Sequence, residues 1–271
     1  MKIFKNKTQL LKEISNIKDI AFVPTMGSIH RGHLSLIKKA KKKSKNILVT
    51  IYINPKQFSK SLDFQKYPRN INKDIATLKK INIKYLYLPT YKDLYSFKPK
   101  SKIFIDKFSK NLCGKFKPGH FRGVINVINR FVEIINPFTI YLGFKDFQQL
   151  TLIESHLKKN KIATNVVACP TIRERNGIAM SSRNAKLNKN QVKIAEKVFK
   201  YLKLNKKIIL SSNTKDNKLK IMSNIIKIGA TKVDYLKCIN LKTLKKTKTI
   251  QEKSNIFIAY YLGGVRLIDN L

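Results

Sequence analysis

Through the first two-thirds of the chain, short apolar runs alternate with stretches whose apolar positions recur every three or four residues. Ile20-Ala21-Phe22-Val23 predicts a strand, and helical spacing follows from about Gly32 to Lys43. Asn46 to Ile53 reads as a buried strand, Ile71 to Lys80 as a helix and Tyr85 to Leu88 as a third strand. Val124 to Ile135 carries the helical period and stops at Asn136-Pro137, where the proline disfavours helical geometry in the residue before it. Thr139 to Leu142 predicts a strand that ends at Gly143. A helix from about Asp146 to Lys159 and a strand at Asn165 to Ala168 follow. Repeated β-α-β units with short connections imply an α/β fold: a Rossmann-like parallel sheet with helices on both faces.

From about Thr171 the pattern changes. Arg173 to Arg183 is polar and irregular, Gln191 to Leu204 is helical, and Lys206 to Lys218 is rich in Lys, Asn and Ser. A helix near Leu219 to Ile228 and strands around Val233–Leu236, Ile256–Tyr261 and Val265–Ile268 complete a smaller α+β C-terminal domain. The pattern therefore divides the chain at 1–171 and 172–271, and contains no internal repeat.

At 43% apolar residues a packed core is within reach, and global disorder is excluded. No apolar run approaches the roughly 20 residues of a membrane helix. The basic start, Met1 to Lys7, lacks the apolar segment of a signal peptide, so a cytoplasmic protein is expected. Cys113, Cys169 and Cys238 form no CxxC pair and support neither a disulfide framework nor a zinc site. The net charge of +42 raises nucleic acid as a partner. Only eight of the 57 basic residues are arginines, however, and the lysines are spread along the whole chain. That distribution fits solvated lysine on most exposed faces better than a dedicated nucleic-acid surface.

Candidate chemistry falls where the predicted strands end, which is where open parallel sheets hold ligands. After the first strand come Pro24-Thr25-Met26-Gly27-Ser28-Ile29-His30-Arg31-Gly32-His33 and then a helix. Two of the chain's four histidines therefore share one helix N-terminus, where a row of unsatisfied backbone N–H groups and the helix dipole favour an anion. Asn54-Pro55-Lys56-Gln57-Phe58 follows the second strand, and the Gln57 amide suits a hydroxy acid. Lys117-Pro118-Gly119-His120-Phe121-Arg122-Gly123 is a second loop before a helix, again anion-capable. Gly143-Phe144-Lys145-Asp146 puts a lysine at a strand end, with Gln149 one helical turn on. Met180-Ser181-Ser182-Arg183 offers two hydroxyls and a guanidinium.

The His30 to His33 segment resembles the HxGH signature of the nucleotidylyltransferase superfamily. Taken with INPKQF, DFQKYPRN, FKPGHFRGV, YLGFKDFQQL, IRERNGIAMSSRN and LGGVRLIDN, the chain resembles the pantoate–β-alanine ligase family almost end to end. The resemblance implies ATP-dependent condensation of pantoate with β-alanine through an acyl adenylate. It assigns ATP to Met26, Gly27, Ser28, Ile29, His30, Arg31, Gly32, His33, Gly143, Phe144, Lys145, Asp146, Ile172, Met180, Ser181, Ser182 and Arg183. Among these it makes His33 a proton donor, His30 its phosphate-contacting companion and Lys145 a phosphate charge. Gln57 and Gln149 are assigned to pantoate, and Gln57 also to β-alanine. The resemblance further implies a homodimer with a C-terminal lid. Arg31 stands where the family often has Glu, and Lys117 where Arg is common. An acidic patch after Tyr67-Pro68-Arg69 is reduced to Asp74, so no protein-held metal is expected, and Mg²⁺ arrives with ATP. Another HxGH nucleotidylyltransferase and a basic nucleic-acid-binding protein remain the alternatives.

Overall fold

The computed structural model describes residues 1–58, 61–211, 214–247 and 253–271. These form two compact units, Met1–Thr171 and Ile172–Leu271. In the first, strands β1 (Lys2–Phe4), β2 (Ala21–Thr25), β3 (Ile47–Ile51), β4 (Tyr85–Tyr87), β5 (Thr139–Gly143) and β6 (Asn165–Cys169) make one sheet. Its order is β1-β4-β3-β2-β5-β6, and every pairing is parallel. Helices α1 (Lys7–Ile14), α2 (Arg31–Lys41), α3 (Ser61–Gln65), α4 (Ile71–Lys80), α5 (Tyr91–Tyr95), α6 (Leu112–Phe116), α7 (His120–Ile135) and α8 (Phe147–Lys159) connect them.

The chain steps outward from β2 to β3 and β4, then returns to place β5 on the other side of β2. β2 and β5 therefore flank the topological switch point, where such sheets bind ligands. Their pairing is short. Ala21 faces Thr139 and Phe22 faces Ile140, whereas β2 stays paired with β3 as far as Thr25 and Ile51. Pro24 has no N–H to extend the ladder, and it lies beyond the β5 pairing. The two strands thus part at their carboxyl ends.

Leu48, Val49, Phe22, Val23, Tyr85 and Leu86 are fully buried, as apolar strands between two helical layers must be. α7 is the most deeply buried helix of this unit and ends at Asn136, whose left-handed backbone (φ 46°) turns the chain into Pro137. It starts at His120, four residues before its first apolar stripe is visible in the sequence. β1 and α1 also escaped sequence reading. β1 is a three-residue edge strand whose partner β4 lies far along the chain.

In the second unit, β7 (Lys232–Asn240), β8 (Ser254–Leu262) and β9 (Val265–Asn270) form an antiparallel sheet in the order β7-β8-β9. It packs with α9 (Lys189–Leu204), α10 (Lys206–Ser211) and α11 (Lys215–Ile228) around Val198, Leu202, Ile225, Ile256 and Ile258. α10 occupies a stretch whose Lys-rich composition reads as irregular; buried Ile209 fixes it to the core. Among the described residues no helix is long and apolar enough to cross a membrane.

Candidate active site

The turn between β2 and α2 is built on backbone geometry. Gly27 and Ser28 both have left-handed backbones (φ 77° and 52°). A Cβ on Gly27 would sit 2.9 Å from Oδ2 of Asp74 and 3.1 Å from Ile51, so this position also needs glycine for space. The Gly27 N–H donates to Oγ1 of Thr25, which donates in turn to the Thr50 carbonyl. The N–H groups of Ser28 and Ile29 donate to the two oxygens of Asp74 at 2.8 and 2.7 Å. The His30 N–H reaches Nδ1 of His33 at 3.4 Å.

The row of open N–H groups expected here is therefore shorter than the sequence suggested. The Asp74 carboxylate and the His33 ring already hold three of them. Arg31 and Gly32, the first two residues of α2, keep N–H groups with no acceptor inside the helix. Asp74 is buried, with both oxygens committed to backbone N–H groups. Among the described residues no group of three or more His, Cys, Asp or Glu could hold a metal.

The two imidazoles stack, with centroids 4.0 Å apart and planes at 20°. Because Nδ1 of His33 accepts a hydrogen bond, its proton sits on Nε2. Desolvation, with the neighbouring His30 and Lys145 adding to it, pushes the His33 pKa down to about 3. Without ligand the ring is therefore a neutral N–H donor at physiological pH. Lys145 follows β5 in a short 3-10 turn, Phe144–Asp146. Its side chain is only 15% exposed and lies 3.7 Å from the Asp146 carboxylate. The sheet order brings it to His33 across the crevice between β2 and β5, close enough to oppose protonation of that ring.

Gln57 ends a second 3-10 turn, Pro55–Gln57, after β3. Its Nε2 donates to Sδ of Met26 at 3.0 Å, a weak acceptor. Buried Asn54 shapes this turn. It donates to the Gly123 carbonyl and accepts from the Lys56 N–H and the Tyr95 hydroxyl. α7 closes on it from above: a Cβ on Gly123 would fall 2.0 Å from the Lys56 carbonyl oxygen. Nδ1 of His120 donates to the Gln57 carbonyl at 2.6 Å. The second helix start thus holds the Gln57 turn. Arg69 is similarly committed, to the carbonyls of Phe64, Gln65 and Tyr67.

Of the paired glutamines after β5, Gln148 is buried and donates to the carbonyls of Phe108 and Asn111. Gln149 is half-buried on the first turn of α8. The fourth histidine, His156, is fully buried between the Phe104 N–H and Asn129, away from any such role. In the C-terminal unit, residues 172–180 form a tight loop closed by Met180 N–H to Ile172 carbonyl. Arg173 anchors it by a two-point bond to Asp269 on β9. Ser181 caps the following turn by accepting from the Arg183 N–H, which leaves Met180, Ser182 and Arg183 half-buried on one short segment.

The motifs do not reveal what Asp74 and His120 hold, the Ser28 and Ile29 amides and the Gln57 carbonyl. Both act through contacts between residues far apart in sequence, which no local pattern encodes.

A parallel sheet with two stacked histidines and a half-buried lysine gathered at its switch point defines an α/β enzyme of the HxGH class. The chain belongs to the pantoate-beta-alanine ligase family, whose model matches residues 2–271. A pantothenate synthetase from Clostridium botulinum (strain Langeland) is 39% identical over 253 residues, covering 93% of this chain and 90% of that one. One from Pseudothermotoga lettingae is 36% identical over 275 positions, covering 100% and 98%. Among solved structures, the pantoate-beta-alanine ligase of Francisella tularensis, complexed with beta-gamma ATP and beta-alanine, matches at a TM-score of 0.84 and 34% identity. It covers 100% of this chain and 97% of its own. The Thermus thermophilus enzyme matches at 0.90 and 28%, covering 100% and 99%.

Proposed function

We propose that the crevice between β2 and β5 binds ATP and carries out both half-reactions of pantothenate formation. A pantoate carboxylate oxygen attacks the α-phosphorus, the bond to pyrophosphate breaks, and pantoyl adenylate forms. The amine of β-alanine then attacks the acyl carbon, AMP leaves with the bonding pair, and the amine loses its proton to give the amide. The observation that carries this reading is the meeting of His30, His33 and Lys145 at the crevice, with Gln57 held on Met26 beside it.

In this reading the N–H groups of Arg31 and Gly32, Nε2–H of His33 and the Lys145 ammonium meet the phosphates. They stabilise charge as it moves onto pyrophosphate, acting as preorganised donors. His30 stacks on His33 and fixes its plane. Met26 to Ile29 and Gly143 to Asp146 line the nucleotide. Gln57 and Gln149 hold pantoate, and Gln57 also meets β-alanine. Mg²⁺ enters with ATP as part of the substrate. Ile172 and Met180, Ser181, Ser182 and Arg183 are assigned to ATP by family resemblance, and the C-terminal unit is read as a lid that limits hydrolysis of the adenylate. The same resemblance supports a homodimer; we place the protein in the cytoplasm, and the spread of its lysines along the chain speaks against a nucleic-acid partner.

Incubation with ATP, pantoate and β-alanine tests the reading. AMP should appear only when both co-substrates are present. AMP release that ignores either of them, or pyrophosphate release with no AMP, would overturn it.

A further inference from the structure

We propose that Asp74 is a positioning residue for this reaction: the resident anion that fixes the turn carrying the two histidines. The inference rests on the active-site reading above. The positive φ values of Gly27 and Ser28 make a tight turn, after which the successive N–H groups of Ser28 and Ile29 face one anion, as in the turn-type nests that bind anions. In many proteins such a nest takes a phosphate. Here a carboxylate from the chain itself fills it, with one oxygen on the Ser28 N–H and the other on the Ile29 N–H, at 2.8 and 2.7 Å. These are charge-assisted bonds in a site only 3% exposed, so they are strong and well defined. Asp74 lies in the first turn of α4, where the helix dipole also favours its negative charge.

Two consequences follow for the chemistry. The nest is closed to phosphate, and the next N–H groups along that the helix leaves without an acceptor are those of Arg31 and Gly32. The pinned amides immediately precede His30, whose own N–H orients His33 through Nδ1. Asp74 thereby sets where Nε2–H of His33 points, although it touches no substrate. The contact couples α4 to the β2–α2 turn across the sheet's carboxyl edge, so a residue far from the histidines in sequence governs their alignment.

Formate, a small free carboxylate, tests this. Asp74→Ala should lower kcat for AMP formation about 100-fold through misalignment. Added formate should refill the nest and restore most of the loss, while leaving wild-type turnover unchanged. Asp74→Asn keeps the size and one acceptor but turns an NH₂ toward an N–H. It should lose about tenfold and ignore formate. In a form independent of turnover, formate should shift the Ser28 and Ile29 amide resonances of Asp74→Ala and not those of the wild type. That arm holds even if wild-type AMP release fails the test of function. Full activity in Asp74→Asn overturns the proposal. So does an Asp74→Ala variant that folds normally but whose lost activity and amide resonances are unmoved by formate. If Asp74→Ala does not fold, Asp74→Asn decides alone.

Discussion

α2 and α7 start alike and do different work. A glycine with φ 77° lies in the turn before each, Gly27 a few residues ahead of α2 and Gly119 directly ahead of α7, and each helix carries a histidine in its first turn. In the sequence both look ready for an anion. At α7 the imidazole donor goes to the Gln57 carbonyl, and the helix backbone at Gly123 packs directly on Lys56. At α2 the His33 ring uses its acceptor nitrogen internally and keeps Nε2–H uncommitted among the described residues. A helix start becomes a ligand site only where the protein has not already committed its donors. In the proposed reaction one of these starts meets the ligand, and the other aims the residue that does.

The sharpest way to break that comparison is Gly123→Ala. Its methyl would meet the Lys56 carbonyl head-on, so the cost should reach about 3 kcal/mol of overpacking, and the Gln57 turn should shift with it. Thermal unfolding and pantoate KM should both move; an unchanged melting point would mean that α7 does not brace the turn. Next comes the histidine pair. His33→Ala should cut AMP formation about 10²- to 10³-fold with the fold intact, as loss of one preorganised donor does elsewhere. His120→Ala should cost only about tenfold, in kcat/KM for pantoate and not in KM for ATP. Equal losses on both substrates in the two variants would erase the distinction. The smallest effect is on acid stability. His33 binds its proton less readily when folded than the ordinary value of 6.5 allows, so the unfolded chain takes up more protons between about pH 6.5 and 3. Stability without ligand should fall as pH drops through that window, and His33→Gln should flatten the slope. Saturating ATP, whose charge favours the imidazolium, should flatten it too.

The sheet's interior strands and the HxGH turn were legible because each is a local pattern: an apolar run, then a glycine, then helical spacing. Ile20–Val23 and Lys145 needed no knowledge of the rest of the chain to be noticed. What escaped is what arises by contact. Asp74 looked like the remnant of a metal patch, because sequence cannot show its oxygens closing on Ser28 and Ile29. Gln148 and Gln149 are equivalent as letters, and only the turn of α8 decides which one is buried against Phe108. β1 was invisible because three residues carry too little pattern, and β4 alone makes them a strand.

The switch point also bears on the order in which the molecule can form. Ala21 pairs with Ile47 on one flank and with Thr139 on the other. Loop-closure entropy opposes the first pairing less than the second and, by contact order, lets it form sooner. A chain folded only as far as β3 would already carry both histidines but would lack Lys145. Lys145 would then join the histidines only through the most distant pairing of β2, and a half-folded chain during synthesis would hold the HxGH turn without the lysine proposed to complete its charge.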